Sequence, residues 1–436
     1  MFPAMLLYLL FVLIRPQDYP DLVERFTLPL QPMALVLAAA FWLFSPRKRF
    51  DAPQYPLMLA FLFVLMASHV VNGWLGGALE QLEKFAPVVL AFVVFANGLQ
   101  DRAKLLTVMR AFVLAAVVLA VHGIEQEATG LGWTGVGLSQ GTRIQYVGIF
   151  NDPNDLGMLF VMCLPMAFYL RAHAGGMRGL WWGLCALVLL YGVYLTDSRG
   201  ALLACLVMFG VYLWQRRGLF IAGSLGVVAV GVLLALPSRF SEIDAEEASA
   251  QGRVDSWYEG LQMFRGDPIL GIGPDMYSDY HHLTAHNSFV LVMAETGIIG
   301  FMVFLALIIY AFRMMWAGSR PEGTYAWAPE PTEDAAGDAW DDADAGDDDA
   351  GGRTLALALL LSLAGFFTCA FFLSRSYVVI LYLLLALVVA HYGNLRDRNP
   401  ALPAFSFARD FLAWPFIAVG GVVGLYIVVK ILMATS

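Results

Sequence analysis

Apolar residues come along this chain in long runs, of roughly 17–25 residues, divided by short polar stretches. A helix of that length crosses about 30 Å of hydrocarbon and satisfies its backbone hydrogen bonds internally. The pattern predicts about 13 spans, at 2–15, 29–46, 55–72, 84–99, 104–122, 154–170, 179–196, 200–215, 219–236, 286–312, 354–373, 375–393 and 411–433. Two outward connections, 123–153 and 237–285, are longer than ordinary turns. The expected order is N-terminal helices over 1–122, a loop at 123–153 and helices over 154–236. A large loop with short helices at 237–285 follows, then a helix at 286–312. A polar loop at 313–353 and C-terminal helices over 354–436 complete the chain. No internal repeat is evident, which weighs against an inverted-repeat transporter.

Composition narrows the class. With 59% hydrophobic and 14% charged residues, the chain is an all-α polytopic membrane protein, and a water-soluble core is excluded. Cys163, Cys185, Cys205 and Cys369 sit in apolar runs without paired spacing and read as packing residues. The first run lacks a basic leader and a small-residue cleavage site, so it reads as a short span. The formal charge of −9 comes from one tract, 333–349, whose nine carboxylates stand without a cation. Such a tract is expected to be disordered, and its spacing lacks the terminal glutamate of a calcium-binding hand.

Loop charge sets an expected topology. With a cytoplasmic N-terminus, every second loop is basic: Arg47-Lys48-Arg49, Arg102 with Lys104, Arg171 with Arg178, Arg216-Arg217, Arg313 with Arg320, and Arg396 with Arg398. The opposite side carries scattered cations: Arg15, Arg25, Lys84, Arg143, Arg199, Arg239, Arg253, Arg265, Arg375 and Lys430. Topology does not require these, so some must serve another purpose.

Several fit chemistry on an anion. In "TDSRGALLA", Ser198 or Asp197 can cap a helix whose first turn holds Arg199. A cation there opposes the helix dipole unless an anion joins it, and phosphate suits that place. Pairing with Asp197 or snorkelling is the alternative. Arg253 opens "RVDSWYEGLQMF", whose apolar residues at helical spacing predict a short amphipathic surface helix with Arg253 at its start and Trp257 and Tyr258 at headgroup level. That aromatic stripe reads as packing ahead of a sugar platform. Arg265 is a favourable charge at the helix end. "GDPILGIGP" is a turn without the lysine of a phosphate-binding loop. His286-Asn287 then precedes an apolar run, and an imidazole there can take a proton from a hydroxyl. His281 and His282 can compete for that role, and their spacing to His286 is not a familiar metal-ligand pattern. Glu295, inside the run, is a functional candidate as an ionisable group in a span, with a structural hydrogen bond near Gly297 and Gly300 as the first reading and catalysis as the second. "NDPND" around Asn154 is first a helix cap, with Arg143 upstream placed to assist substrate binding.

These segments, "DSRGALLA", "GRVDSW", "DPILGIGPDMY", "AHNSFVLVMAETGIIGF" and "GIFNDPNDLG", resemble the bacterial O-antigen ligase and polymerase superfamily over roughly residues 143–312. The resemblance implies a GT-C-type bundle of about 12–13 helices in the bacterial inner membrane, with a periplasmic active site. It implies an inverting, metal-independent glycosyltransferase without a cofactor. The donor would be a glycan on undecaprenyl pyrophosphate, and the acceptor a glycan, a lipid A-core or a protein. It assigns Arg199 and Arg253 to the pyrophosphate and His286 to the general base. Arg143, Asn154, Trp257, Tyr258 and Asn287 are the expected substrate contacts. Ligase and polymerase share these motifs, and the ligase is the first reading. A flippase for a lipid-linked saccharide is the alternative of another class, disfavoured because the cations cluster at helix ends. The partners are the donor, the acceptor and the bilayer, with no nucleic acid.

Overall fold

The long apolar runs, bounded by capping side chains and glycines, fold as helices throughout. The structure, a computed structural model, describes residues 1–23, 28–46, 48–218, 220, 223–224, 226, 243–320 and 342–435. In chain order the helices are α1 (Phe2–Leu13), α2 (Pro20–Val23), α3 (Leu30–Leu43), α4 (Gln54–Val71), α5 (Leu75–Gly98), α6 (Arg102–Thr129), α7 (Pro153–Ala172), α8 (Gly176–Leu195), α9 (Arg199–Arg217), α10 (Ile243–Gly266), α11 (Tyr277–Tyr280), α12 (Ser288–Gly318), α13 (Asp342–Ala370), α14 (Val379–Arg398) and α15 (Ala413–Thr435). No strand occurs among the described residues; two isolated antiparallel bridges fold the 130–145 loop on itself. The chain is an all-α polytopic membrane protein.

Eight of these helices are long and apolar enough to cross a membrane: α4, α6, α7, α8, α12, the part of α13 from Ala350, α14 and α15. The expected spans 2–15, 29–46, 84–99 and 200–215 also form helices, α1, α3, α5 and α9. Among these, α1 has 12 residues and α3 has 14, so each rises about 20 Å, short of the hydrocarbon thickness. The expected span 219–236, with Arg25, Arg47 and Arg239, falls wholly or mainly outside the described residues.

Two boundaries correct the sequence reading. The acidic tract was expected to lack structure, yet its last residues, from Asp342, form the first turns of α13. Aspartates at a helix N-terminus complement the free N–H groups and the positive dipole end. Residues 333–341 of the tract lie outside the described residues. The other correction concerns the helix bearing Arg253. It starts at Ile243, not at Arg253, because "AEEASAQ" is rich in helix formers and Gly252 does not interrupt it.

The core centres on α7, whose spanning window is 83% buried, and which packs against α6, α8 and α13. At the rim, only 17% of α15 is buried, and it rests on α10 and α12. α12 is broken in mid-course. Gly297 adopts φ +61°, ψ −164°, a region open essentially to glycine alone. The "GDPILGIGP" turn fills the break. Ile272 and Gly273 N–H groups donate to the Ala294 and Glu295 carbonyls at 3.1 and 3.0 Å, while Ile298 and Ile299 donate to Pro268 and Ile269 at 2.8 and 3.3 Å. Ser68 of α4 reaches the Leu270 and Glu295 carbonyls, and Asn72 donates to Gly271 at 2.8 Å. A backbone freed inside a membrane protein is thereby re-satisfied by another loop.

Candidate active site

Three helix starts and one hairpin meet at one end of the bundle. Ser198 caps α9, its Oγ accepting from Ala201 N at 3.3 Å, which puts Arg199 in the first turn as the sequence suggests. Asp197 before it is held at φ 47°, a left-handed conformation uncommon outside glycine. Asp152 caps α7, accepting from Asn154 N at 2.7 Å. Asn287 caps α12, its Oδ1 accepting from Phe289 and Val290 N–H groups at 2.9 and 3.1 Å.

Arg143 ties two of these starts together. Its Nε donates to the Thr196 carbonyl at 2.9 Å and a terminal nitrogen donates to Asn154 Oδ1 at 3.0 Å. Its own loop is fixed because Gln126 of α6 donates to the Val136 and Gly137 carbonyls. Asn154 also donates to Asp152 Oδ1 at 2.9 Å. Both residues predicted to touch substrate are thus used in holding the wall of the site.

The charged groups feel one another. Burial lowers the pKa of the Arg253 guanidinium; the nearby Arg143 and Arg199 cations lower it further, and the Asp152 carboxylate opposes them. Burial likewise lowers the pKa of the His286 imidazole, with Arg253 and Arg375 acting in the same direction and Asp152 against. Arg199, Arg253 and His286, far apart in sequence, therefore share one electrostatic neighbourhood. His286 sits at φ 47°, a second left-handed non-glycine residue beside the cations. An imidazole whose pKa is lowered by burial, and further by adjacent guanidiniums, is chemically able to accept a proton. Guanidiniums that repel one another are a receptor for an anion.

The structure revises the argument for Arg253. It lies well inside α10, so no free backbone N–H groups stand beside it, and its neighbours are the Arg143 and Arg199 cations and the Asp152 carboxylate. The surface helix with Trp257 at headgroup level is also not found. Trp257 is 4% exposed, packs edge-on to Phe371 at 5.4 Å, and its indole N–H meets no acceptor among the described residues. A tryptophan on the face toward α12 and α13 is drawn into the core by its size, whatever its amphipathic tip prefers. Tyr258 faces the other way, where Lys430 stands 5.5 Å over its ring. Asn287 is fully buried; its Oδ1 caps the helix, and its Nδ2 meets no partner among the described residues.

His281 is engaged with Ser256 across 3.3 Å and stacks loosely on His282, 4.4 Å between ring centres. Among the described residues, no three His, Cys, Asp or Glu side chains form a metal-ligand group. Glu295 accepts from the Tyr377 hydroxyl at 2.9 Å, a structural hydrogen bond as expected.

One member of the site was missed. Arg375 stands in the 371–378 hairpin and is clamped by Asp155 of α7 through two bonds of 2.5 Å. Asp155 is 2% exposed and Arg375 34%. The hairpin is pinned to the start of α12: Ser288 Oγ donates to the Leu373 carbonyl, Arg375 N donates to Ser288 Oγ, and Ser376 Oγ donates to the Ser288 carbonyl. Arg375 was placed inside an expected span at 375–393, whereas the helix begins at Val379. The signal available was its place among the outward cations without a topological role.

With this geometry in view, the similarity to known proteins can be placed on the site. The O-antigen ligase family model matches residues 184–305, which run from within α8 into α12 and include Arg199, Arg253 and His286. In that segment the chain is similar to the O-antigen ligase family. It is also similar to the exopolysaccharide production protein ExoQ of Rhizobium meliloti (strain 1021), 25% identical over 205 residues. That match spans 38% of this chain and 46% of the relative, less than half of its length. The matched family is named for O-antigen ligase and the relative for exopolysaccharide production.

Proposed function

We propose that this protein transfers a glycan from undecaprenyl pyrophosphate to an acceptor hydroxyl, at the outer face of a bacterial inner membrane. The acceptor oxygen attacks sugar C1, and the C1–oxygen bond to the pyrophosphate breaks with inversion. The acceptor proton passes to His286, and the electron pair leaves with the lipid pyrophosphate. Arg199 and Arg253 meet the charge growing on that leaving group, a task two guanidiniums perform without a divalent ion. Burial and Arg253 together keep His286 unprotonated at neutral pH, as a general base requires. Asn287 Nδ2, buried beside His286, is a donor positioned for substrate. Arg143, Asn154 and the Arg375–Asp155 pair hold the walls.

The observation that carries this reading is that Arg143 and Arg199 act on Arg253, and Arg253 and Arg375 on His286, at the strained start of α12, while Arg143 bonds together the starts of α7 and α9. The test is reconstitution with a lipid-linked repeat unit. Transfer only after a separate acceptor (lipid A-core or protein) is added identifies a ligase, the first reading. Elongation of the donor alone identifies a polymerase, the alternative within the same superfamily. Loss of neither activity in His286→Ala would remove the assigned base.

A further inference from the structure

The far end of α10 forms a second cationic feature, apart from the reaction chemistry. Arg265, twelve residues beyond Arg253 and thus about 18 Å farther along the helix, lines a cleft between α10 and α15. Lys430 of α15 lines the same cleft, of about 600 Å³. Its ammonium lies 5.5 Å over the Tyr258 ring and 5.9 Å over that of Tyr426. The remaining wall is apolar but for Gln262, and no carboxylate belongs to it. Neither cation forms an ion pair among the described residues, whereas Arg15, Arg49, Lys84, Arg313 and Arg375 all do. Two unneutralised cations facing one cleft call for an anion. The apolar wall calls for hydrocarbon beside it.

We propose that this cleft binds one membrane phospholipid with an anionic headgroup. The headgroup phosphate lies between Arg265 and Lys430, and an acyl chain runs along the apolar face near Val423. Three observations favour a lipid over a soluble anion. α15 is 17% buried, so the cleft opens on the bundle's lipid-facing rim. Tyr258 and Tyr426 are amphipathic rings of the kind found at headgroup level. Val423, at 49% exposure, leaves an apolar path out of the cleft. The proposal is independent of the transferase reading, because Arg265 and Lys430 are not assigned to the reaction and Tyr258, expected at the substrate, faces this cleft instead.

The experiment uses the full-length chain, purified in detergent and stripped of lipid. Native mass spectrometry and thermal unfolding are followed with added phosphatidylglycerol, phosphatidylcholine or inorganic phosphate. Wild type should retain phosphatidylglycerol and gain stability from it, and gain little from the other two. The double variant Arg265→Gln/Lys430→Gln should bind phosphatidylglycerol about tenfold or more weakly, each cation near an anionic headgroup being worth most of a factor of ten. The charge-preserving Arg265→Lys/Lys430→Arg should retain it, which separates a lost charge from a damaged fold. Equal retention of the two phospholipids, undiminished retention by the glutamine variant, or an equal response to inorganic phosphate would overturn the proposal.

Discussion

Two polar regions interrupt this apolar bundle, and they treat charge and hydrogen bonding in opposite ways. At the Gly297 break, each backbone group exposed by the interruption is matched: carbonyls 294 and 295 receive N–H groups 272 and 273, and N–H groups 298 and 299 find carbonyls 268 and 269. At the start of α12, by contrast, cations gather near one another, a histidine sits in a left-handed conformation and a buried amide nitrogen lacks an acceptor among the described residues. The first region is closed on itself and serves the fold. The second, on the proposed reading, receives an anion and a proton donor from outside the chain. Polar groups inside a membrane bundle therefore do not by themselves mark a site; the unbalanced ones do.

The strongest way to break that contrast is His286→Ala. Removing a general base costs about 10²–10⁴ in rate, with no comparable loss of stability expected because the ring is only half-buried. A proteoliposome transfer assay together with a melting curve reads both. Arg253→Gln comes next, at about 10²–10³ in rate, by analogy with a lost oxyanion donor. It also carries a pH signature. The Arg253 charge helps to hold the His286 pKa below its ordinary value, so the wild-type base stays active as pH falls below that value. Without Arg253 the pKa rises, and the acid limb of the rate profile should move to higher pH. A profile that keeps its acid limb would separate the two residues and dissolve the shared site.

Stability variants probe the other side of the comparison. At Gly297, an added Cβ would lie 2.4 Å from the Ile269 carbonyl carbon, and its φ of +61° strains any L residue. Gly297→Ala should therefore cost about 3 kcal/mol or more, combining overpacking and backbone strain, read as a lower melting temperature in detergent. Asp155→Asn should cost about 2–3 kcal/mol, below the usual loss for a fully buried pair, because Arg375 stays 34% exposed and can rehydrate. Transfer should fall as well if the hairpin it anchors frames the site. Loss of stability without loss of transfer would place Arg375 with the fold.

The sequence made legible what depends on local chemistry. Helices follow apolar run length, and Ser198 and Asp152 cap where a polar oxygen precedes an apolar run, as Asn287, read only as a substrate contact, also does. The gathering of Arg199, Arg253 and His286 was legible only through the family resemblance, since no spacing rule joins three separate elements. The start of α10 was misread because Arg253 follows Gly252, a residue that can interrupt a helix but need not. Arg375 was missed because its partner, Asp155, is 220 residues away, and a long-range ion pair leaves no periodic trace.

The smallest expected effect concerns Trp257, which combines a packed ring with an unmatched donor. Its ring belongs to the core, against Phe371, yet its N–H is unmatched among the described residues. Trp257→Phe keeps an aromatic ring and removes the donor. An unpaired buried donor costs about 1–3 kcal/mol, which offsets much of the packing lost with the larger ring. Melting temperature should therefore change little. If the indole only packs, transfer stays within about twofold of wild type, less than 1 kcal/mol in the barrier. If it donates to the glycan, transfer falls by an order of magnitude at unchanged stability, and Trp257 moves from the satisfied side of the molecule to the unbalanced one.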